Sequence, residues 1–246
     1  MDFKYIHIYR SDRDAGLCID KVKQDVAELF GRCEVDVREP FLMYWDDGEG
    51  AIDETRIFDL KQPFEKQPGR PEPASDSMPL YDGFMLQRTL AQLISDKESH
   101  ADHVHLVFTH LMTCTFAEED WRYHGRAVIC GTPSIVSVPG IVEAPAKPRE
   151  FYHLQALGSQ DLPTLKKQFA GRFVDYDDGR MTKAAVGYAI QALFYFVTDG
   201  EPFCDDRDCR LFNSHWQEDL IRTQVEKPRY CRMHGRLASK FKIKSE

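Results

Sequence analysis

Phe203-Cys204-Asp205-Asp206-Arg207-Asp208-Cys209 and, after a gap, Tyr230-Cys231-Arg232-Met233-His234 are the stretches whose reading decides the fold. They hold a C-x4-C pair of thiols and a C-x2-H pair of thiol and imidazole. Zinc takes soft or borderline ligands at the corners of a tetrahedron, and two short-spaced pairs supply them with little loop strain. The segment between the pairs is long enough to fold back on itself. Cys204, Cys209, Cys231 and His234 are therefore predicted to hold one structural zinc ion. The competing reading is four unrelated residues with the thiols merely buried.

Outward from this block, a chain of 246 residues that is 42% hydrophobic has enough apolar material for one domain with its own core. A net charge of -8 argues against a nucleic-acid-binding surface over the whole protein. The basic end at Arg236, Lys240, Lys242 and Lys244 reads as a solvated terminus. Met1–Tyr9 is too short and too broken by charge for a signal peptide, and no apolar run is long enough to span a bilayer. The expected location is the cytoplasm, a reducing compartment where cysteines serve as thiols or metal ligands rather than disulfides. Cys18, Cys33, Cys114 and Cys130 lie in apolar surroundings and read as small buried hydrophobes.

Residues 4–9 alternate like a strand. Leu17, Val22, Val26, Leu29 and Phe30 fall at helical spacing before Gly31, and Cys33, Val35 and Val37 alternate again. This β-α-β opening favours an α/β domain. Residues 40–82 are rich in Pro, Gly, Asp and Glu and read as a long excursion, partly mobile and without a folded domain. Residues 84–94 predict a helix and 104–108 a buried strand, whose start places His103 and His105 on one face. That pair reads either as a metal-binding pair or as ordinary strand-edge histidines. Residues 116–126 read as a polar loop, with His124 as an acid or base lacking a visible partner. Residues 127–130 and 135–138 are short β-prone runs. Pro139-Gly140 and 144–149 read as a stiff, non-helical turn region. Thr182–Val197, capped by Thr182, is apolar on most faces and predicts a buried helix. A further helix is expected at 215–225, with Trp216, Leu220 and Ile221 inward.

In this order the elements resemble the archaemetzincins, metzincin-type zinc peptidases. Their signature is a helix with H-E-x-x-H-x-x-G-x-x-H, then C-x4-C-x-M, then C-x-x-C. Gly200-Glu-Pro-Phe-Cys-Asp-Asp-Arg-Asp-Cys-Arg-Leu211 matches the glycine and the C-x4-C, and Cys231-Arg-Met-His234 stands for the last pair. The specific part of the likeness spans residues 193–234. It implies a metzincin-like α/β fold, a mixed twisted sheet with packed helices. One domain would cover 1–246: a sheet part over 1–138 with the excursion at 40–82, the former active-site helix and zinc block at 182–234, and the basic tail at 235–246.

Counting back from Cys204, the resemblance puts the three catalytic histidines at Leu193, Val197 and Phe203, and the general-base glutamate at Phe194. The methionine beneath the metal falls at Leu211. A zinc peptidase needs imidazoles around an open coordination site and a carboxylate that accepts a proton from the bound water. Leu, Val and Phe offer neither. Leu193 and Val197 are one helical turn apart, so the former metal face is expected to be core. Three functional readings remain. The first is a zinc-binding, metallopeptidase-like protein without standard peptidase activity, a pseudoenzyme that binds a peptide or protein partner in the old cleft. The second is an active metallohydrolase with rebuilt ligands drawn from Asp205, Asp206, Asp208, Asn213, His215, His124, His103 and His105. The third is a zinc module for nucleic-acid or regulatory binding, helped by Trp216, Tyr230 and the basic tail.

Overall fold

The computed structural model describes residues 3–11, 13, 16–44, 48–67, 78–158 and 160–242. Strand β1 (Tyr5–Tyr9) alternates its side chains: Ile6 and Ile8 enter the main core, while His7 and Tyr9 face the other side. Helix α1 (Ile19–Leu29) buries Ile19, Val22, Val26 and Leu29, the stripe its 3.6-residue period dictates. Strand β2 (Glu34–Arg38) pairs with β1 in parallel, which completes the expected β-α-β unit.

The segment expected as an unstructured excursion carries more structure than its composition suggests. A 3-10 turn at Phe41–Tyr44 is followed by α2 (Gly48–Asp53), β3 (Arg56–Ile57) and β4 (Leu80–Asp82). Phe41, Ile52, Ile57 and Tyr81 are buried, so a few widely spaced apolar residues anchor a stretch that reads as polar. Residues 45–47 and 68–77 of that excursion lie outside the described residues.

Helix α3 (Gly83–Ala91) starts where the Asp82 carboxylate accepts from the amides of Phe84 and Met85. Strand β5 (His103–Thr109) follows, then β6 (Met112–Ala117) and β7 (Arg122–Arg126). The last two form an antiparallel hairpin across the predicted polar loop, with Phe116 opposite Tyr123. Phe116 also meets the Trp121 ring edge-on at 5.3 Å, so aromatic packing holds a hairpin that charge density conceals. Strand β8 (Val128–Ile129) and β9 (Ser134–Ser137) come next. The non-helical expectation at Pro139-Gly140 is corrected: α4 (Val138–Glu143) begins there, with proline in the first turn, where no backbone donor is required. The Ser137 hydroxyl accepts from the Gly140 amide at 2.9 Å and caps it. Helices α5 (Arg149–Ala156) and α6 (Leu162–Gln168) pack through Phe151, Leu165 and Phe169.

Helix α7 (Met181–Val197) is the central helix. Its start is fixed by Asp178, whose side chain binds both the amide and the guanidinium of Arg180. Thr182 is not the cap: it lies in the first turn and accepts from the Cys18 amide at 3.1 Å. The helix expected at 215–225 is α8 (Gln217–Leu220) running into a π-helical turn, Ile221–Glu226. Its inner face is Gln217, Leu220, Ile221, Thr223 and Gln224, while Trp216 is only half-buried. The tail is also corrected. Helix α9 (Arg232–Lys242) buries Ala238 and stacks Phe241 on Phe3 with ring centroids 6.1 Å apart. Lys244 lies outside the described residues.

The result is a mixed α/β fold. One sheet has the order β2-β1-β5-β9-β8, parallel except for the antiparallel edge strand β8. A second sheet has the order β3-β4-β6-β7. The main core lies between the first sheet and α1, α7 and α9. Among the described residues, no helix is long and apolar enough to cross a membrane.

Candidate metal centre and adjoining cleft

Helix α7 ends through Thr198, Asp199 and Gly200. Gly200 has φ +99°, a region that side-chain-bearing residues avoid, and its amide reaches the Tyr195 carbonyl at 2.9 Å. The chain then runs directly into Cys204. The Cys204 amide donates to the Leu211 carbonyl at 2.9 Å, and the Cys209 amide to Asp206, which folds the C-x4-C segment into a tight loop. Cys231 immediately precedes α9 and His234 lies in its first turn, three residues on.

These four side chains converge. Their donor atoms all lie within 4.8 Å of one another. Cys204 Sγ is 3.9 Å from Cys231 Sγ. His234 Nδ1 is 3.6 Å from Cys209 Sγ and 3.2 Å from Cys231 Sγ. A zinc tetrahedron with sulfur at about 2.3 Å and nitrogen at about 2.0–2.1 Å has edges of about 3.8 Å between sulfurs and about 3.5 Å from sulfur to nitrogen. These three separations lie within a few tenths of an ångström of the edges an ion needs. Burial raises the Cys209 thiol to about 12 and also raises Cys204. At Cys231 burial pushes upward too, but the His234 backbone amide and the neighbouring thiols outweigh it, and the net direction is down. Burial lowers His234, which favours the neutral imidazole that metals bind. Without a cation, three crowded thiols are costly to ionise together; with one, thiolate is the favoured form.

The positions that the resemblance assigns to catalysis have a different fate. Leu193 and Phe194 are fully buried, and Val197 packs against the same core. The Phe194 ring stacks on Tyr230 at 5.8 Å and meets the His234 ring edge-on at 6.1 Å, so it braces the Cys/His group. Leu211, at the position of the methionine beneath the metal, is fully buried in that core.

A cavity of about 550 Å³ opens beside the block. One wall is Arg126–Cys130, which includes the edge strand β8; the others carry Tyr188, Tyr195, Phe203 and His215. Tyr188 and Tyr195 lie seven residues apart and so on nearly one helical face, whereas Leu193 is about 140° around the helix from Tyr188. The cavity therefore meets α7 on a different face from the one that carries Leu193 and Val197, whereas Phe203, the third ligand position and beyond the helix end, is exposed and lines the cavity. Cavity-lining tyrosines were not singled out in the sequence, because in an all-apolar helix they carry no signal separate from core.

The remaining candidate residues do not gather into a second set of ligands at the cavity. Asp205, Asp206 and Asp208 are exposed; Asp206 turns the loop and Asp208 pairs with Arg229 at 2.7 Å. Asn213 and His215 line the cavity without a companion imidazole. His124 pairs with Asp120 at 2.8 Å on the second sheet. His103 and His105 share a face of β5, as expected, and His7 on β1 joins them there. Of the four cysteines read as buried, Cys114 is; Cys33 and Cys130 are half-buried, and Cys18 is exposed just ahead of α1.

The model of the Probable metallopeptidase family (DUF6775) matches residues 2–241. Among solved structures, the crystal structure of archaemetzincin from Methanopyrus kandleri is similar, with 16% sequence identity and a TM-score of 0.49. The alignment covers 98% of this chain and 95% of that one. No curated protein matches. With nearly all of its length matched by that family model, the chain belongs to the Probable metallopeptidase family.

Proposed function

We propose that this protein is a zinc-binding metallopeptidase homologue without standard peptidase activity, which holds a peptide or protein partner in its cleft. Cys204, Cys209, Cys231 and His234 bind one zinc ion as a cross-link between the end of α7 and the start of α9. A Cys3His set leaves no coordination position for water, so the ion contributes shape and folding free energy rather than an activated hydroxide. The observation that carries the reading is the burial of Leu193 and Phe194, the positions where a histidine ligand and the general base would stand. A buried side chain without a lone pair neither holds an ion nor takes a proton.

The cavity suits an extended segment, although it lies on the other face of α7 from Leu193 and Val197. Edge strand β8 offers backbone groups for strand addition, and Tyr188, Tyr195 and Phe203 supply an apolar floor. The reading with rebuilt catalytic ligands has little support. Among the described residues, neither group of metal-ligating side chains contributes a residue to the cavity lining.

Elemental analysis of the purified chain, together with a peptide-hydrolysis assay, tests this. One tightly bound zinc per chain, lost in Cys231→Ala, is expected, with no hydrolysis. A panel of extended synthetic peptides, followed by fluorescence anisotropy, should bind the parent and bind Tyr195→Ser more weakly. A metal-free chain would sink the structural ion. Turnover of any peptide would sink the non-catalytic reading, and failure of the whole panel would sink the cleft as a peptide site.

A further inference from the structure

On the face of the first sheet opposite α7, β1 and β5 place a row of rings side by side: Tyr5, His103, His7, His105 and Tyr9. Histidines inside a sheet core are costly unless each ring nitrogen has a partner. His105 is satisfied within the protein. Its Nε2 donates to the Glu98 carbonyl at 2.9 Å, and its Nδ1 accepts from the Tyr9 hydroxyl at 3.0 Å. His7 and His103 are arranged differently. His7 Nδ1 faces both carboxylate oxygens of Asp36 at 3.0 and 3.1 Å. A carboxylate only accepts, so Nδ1 carries the proton and Nε2 presents a lone pair. That lone pair points at His103 Nδ1, 2.8 Å away.

A carboxylate that fixes the tautomer of a histidine, with the far nitrogen aimed at a second donor, is the usual outer support of a metal ligand. The third group is Glu98. Its carboxylate, His7 and His103 bring their donor atoms within 4.8 Å of one another. Glu98 is held from two sides. His105 pins its backbone, and Arg38 grips its two oxygens at 2.7 and 2.8 Å. Each carboxylate oxygen keeps a second lone pair after meeting the guanidinium.

We propose that His7, His103 and Glu98 form a second site, separate from the thiol block, for one borderline divalent transition-metal ion such as zinc or cobalt. The ion takes Nε2 of His7, Nδ1 of His103 and one carboxylate oxygen of Glu98. His103 then carries its proton on Nε2, which stands 3.9 Å from the Asp102 carboxylate. Metal–nitrogen bonds of about 2.1 Å need the two nitrogens about 3.0–3.4 Å apart, so the rings separate by a few tenths of an ångström. The side chains of His103 and Glu98 are 15% and 27% exposed, so the ion can enter and water can complete its coordination. The site shares no residue with the Cys/His group, and its fate is independent of the reading given there.

The test is titration of the full chain, already loaded with one equivalent of zinc, with Co2+. A second equivalent should bind with visible ligand-field bands and no sulfur-to-cobalt charge transfer. His103→Gln and Glu98→Gln should each weaken that uptake by at least about tenfold while leaving the circular dichroism of the parent. If His103→Gln fails to fold, Glu98→Gln decides. Saturation at one ion per chain overturns the proposal, and so does charge transfer accompanying the second equivalent or unchanged uptake in a folded Glu98→Gln. An ion on the histidines with the thiols left bare would support this site and sink the structural zinc instead.

Discussion

Phe194→Glu restores the carboxylate of a general base at the position where a zinc peptidase would have it. In this structure it should wreck the fold rather than supply chemistry. Phe194 is fully buried, and its ring touches those of Phe30, Tyr230 and His234. Truncating such a ring costs about 3–5 kcal/mol. The new carboxyl must then be desolvated beside the rings of Tyr230, whose buried hydroxyl has no partner among the described residues, and His234, which adds about 2 kcal/mol even when it stays protonated. The sum, about 5–7 kcal/mol, rivals the whole stability of an ordinary domain, about 5–15 kcal/mol. Phe194→Leu keeps an apolar group and should cost no more than about 3 kcal/mol. Urea unfolding followed by circular dichroism separates the two. Phe194→Leu should give a cooperative transition at a lower midpoint, and Phe194→Glu should be unfolded or barely folded without denaturant. A Phe194→Glu chain with the parent's midpoint would refute the claim that this face of α7 is core.

Cys209→Ser should lower the melting temperature and abolish the shift that a zinc chelator causes in the parent, because a bound metal is folding free energy. Gly187→Ala should cost about 1–3 kcal/mol in urea unfolding. An added methyl would collide with the side chain of Gln224, which is buried and held to the Arg210 carbonyl at 2.6 Å. Asp178 is held below its ordinary value by the Arg180 guanidinium. The stability it contributes is complete above the unfolded value of about 3.9 and is lost as pH falls through the lower folded value. Asp178→Asn should therefore flatten part of the acid limb of a stability–pH curve, and an unchanged limb would refute that role.

What the sequence made legible follows from where its physics is local. The Cys/His block could be read because metal ligands must be polar, close in sequence and paired, and C-x4-C with C-x2-H leaves few alternatives. The β-α-β opening and α7 could be read because their apolar residues keep a strict period. The second sheet could not. Its strands β3 and β4 are too short to show alternation, and β4 is held by pairing with β6, a partner far along the chain. Pro139 reads as a breaker until Ser137 is seen to cap its helix. His7 carried no signal of its own, since β1 reads as a strand whichever way its histidine points; the register with β5 sets it opposite His105 and diagonally beside His103.

The two faces of α7 permit a sharper separation than either the fold or the family name does. If α7 retained the peptidase arrangement, Leu193 and Val197 would border the cavity, and truncating them would alter binding there. In this structure Tyr188 and Tyr195 border it, while Leu193 is sealed in the main core. Leu193→Ala should therefore cost about 2–5 kcal/mol of stability and leave affinity for a cleft-bound peptide unchanged in the folded fraction. Tyr195→Ser, on a half-buried side chain, should cost less stability and weaken that peptide measurably. Measuring both quantities on both variants gives a crossed pattern that a uniformly packed helix cannot produce. If Leu193→Ala changed affinity while Tyr195→Ser did not, the cleft would lie on the other face of the helix, and the argument that its metal-binding side has become core would fail with it.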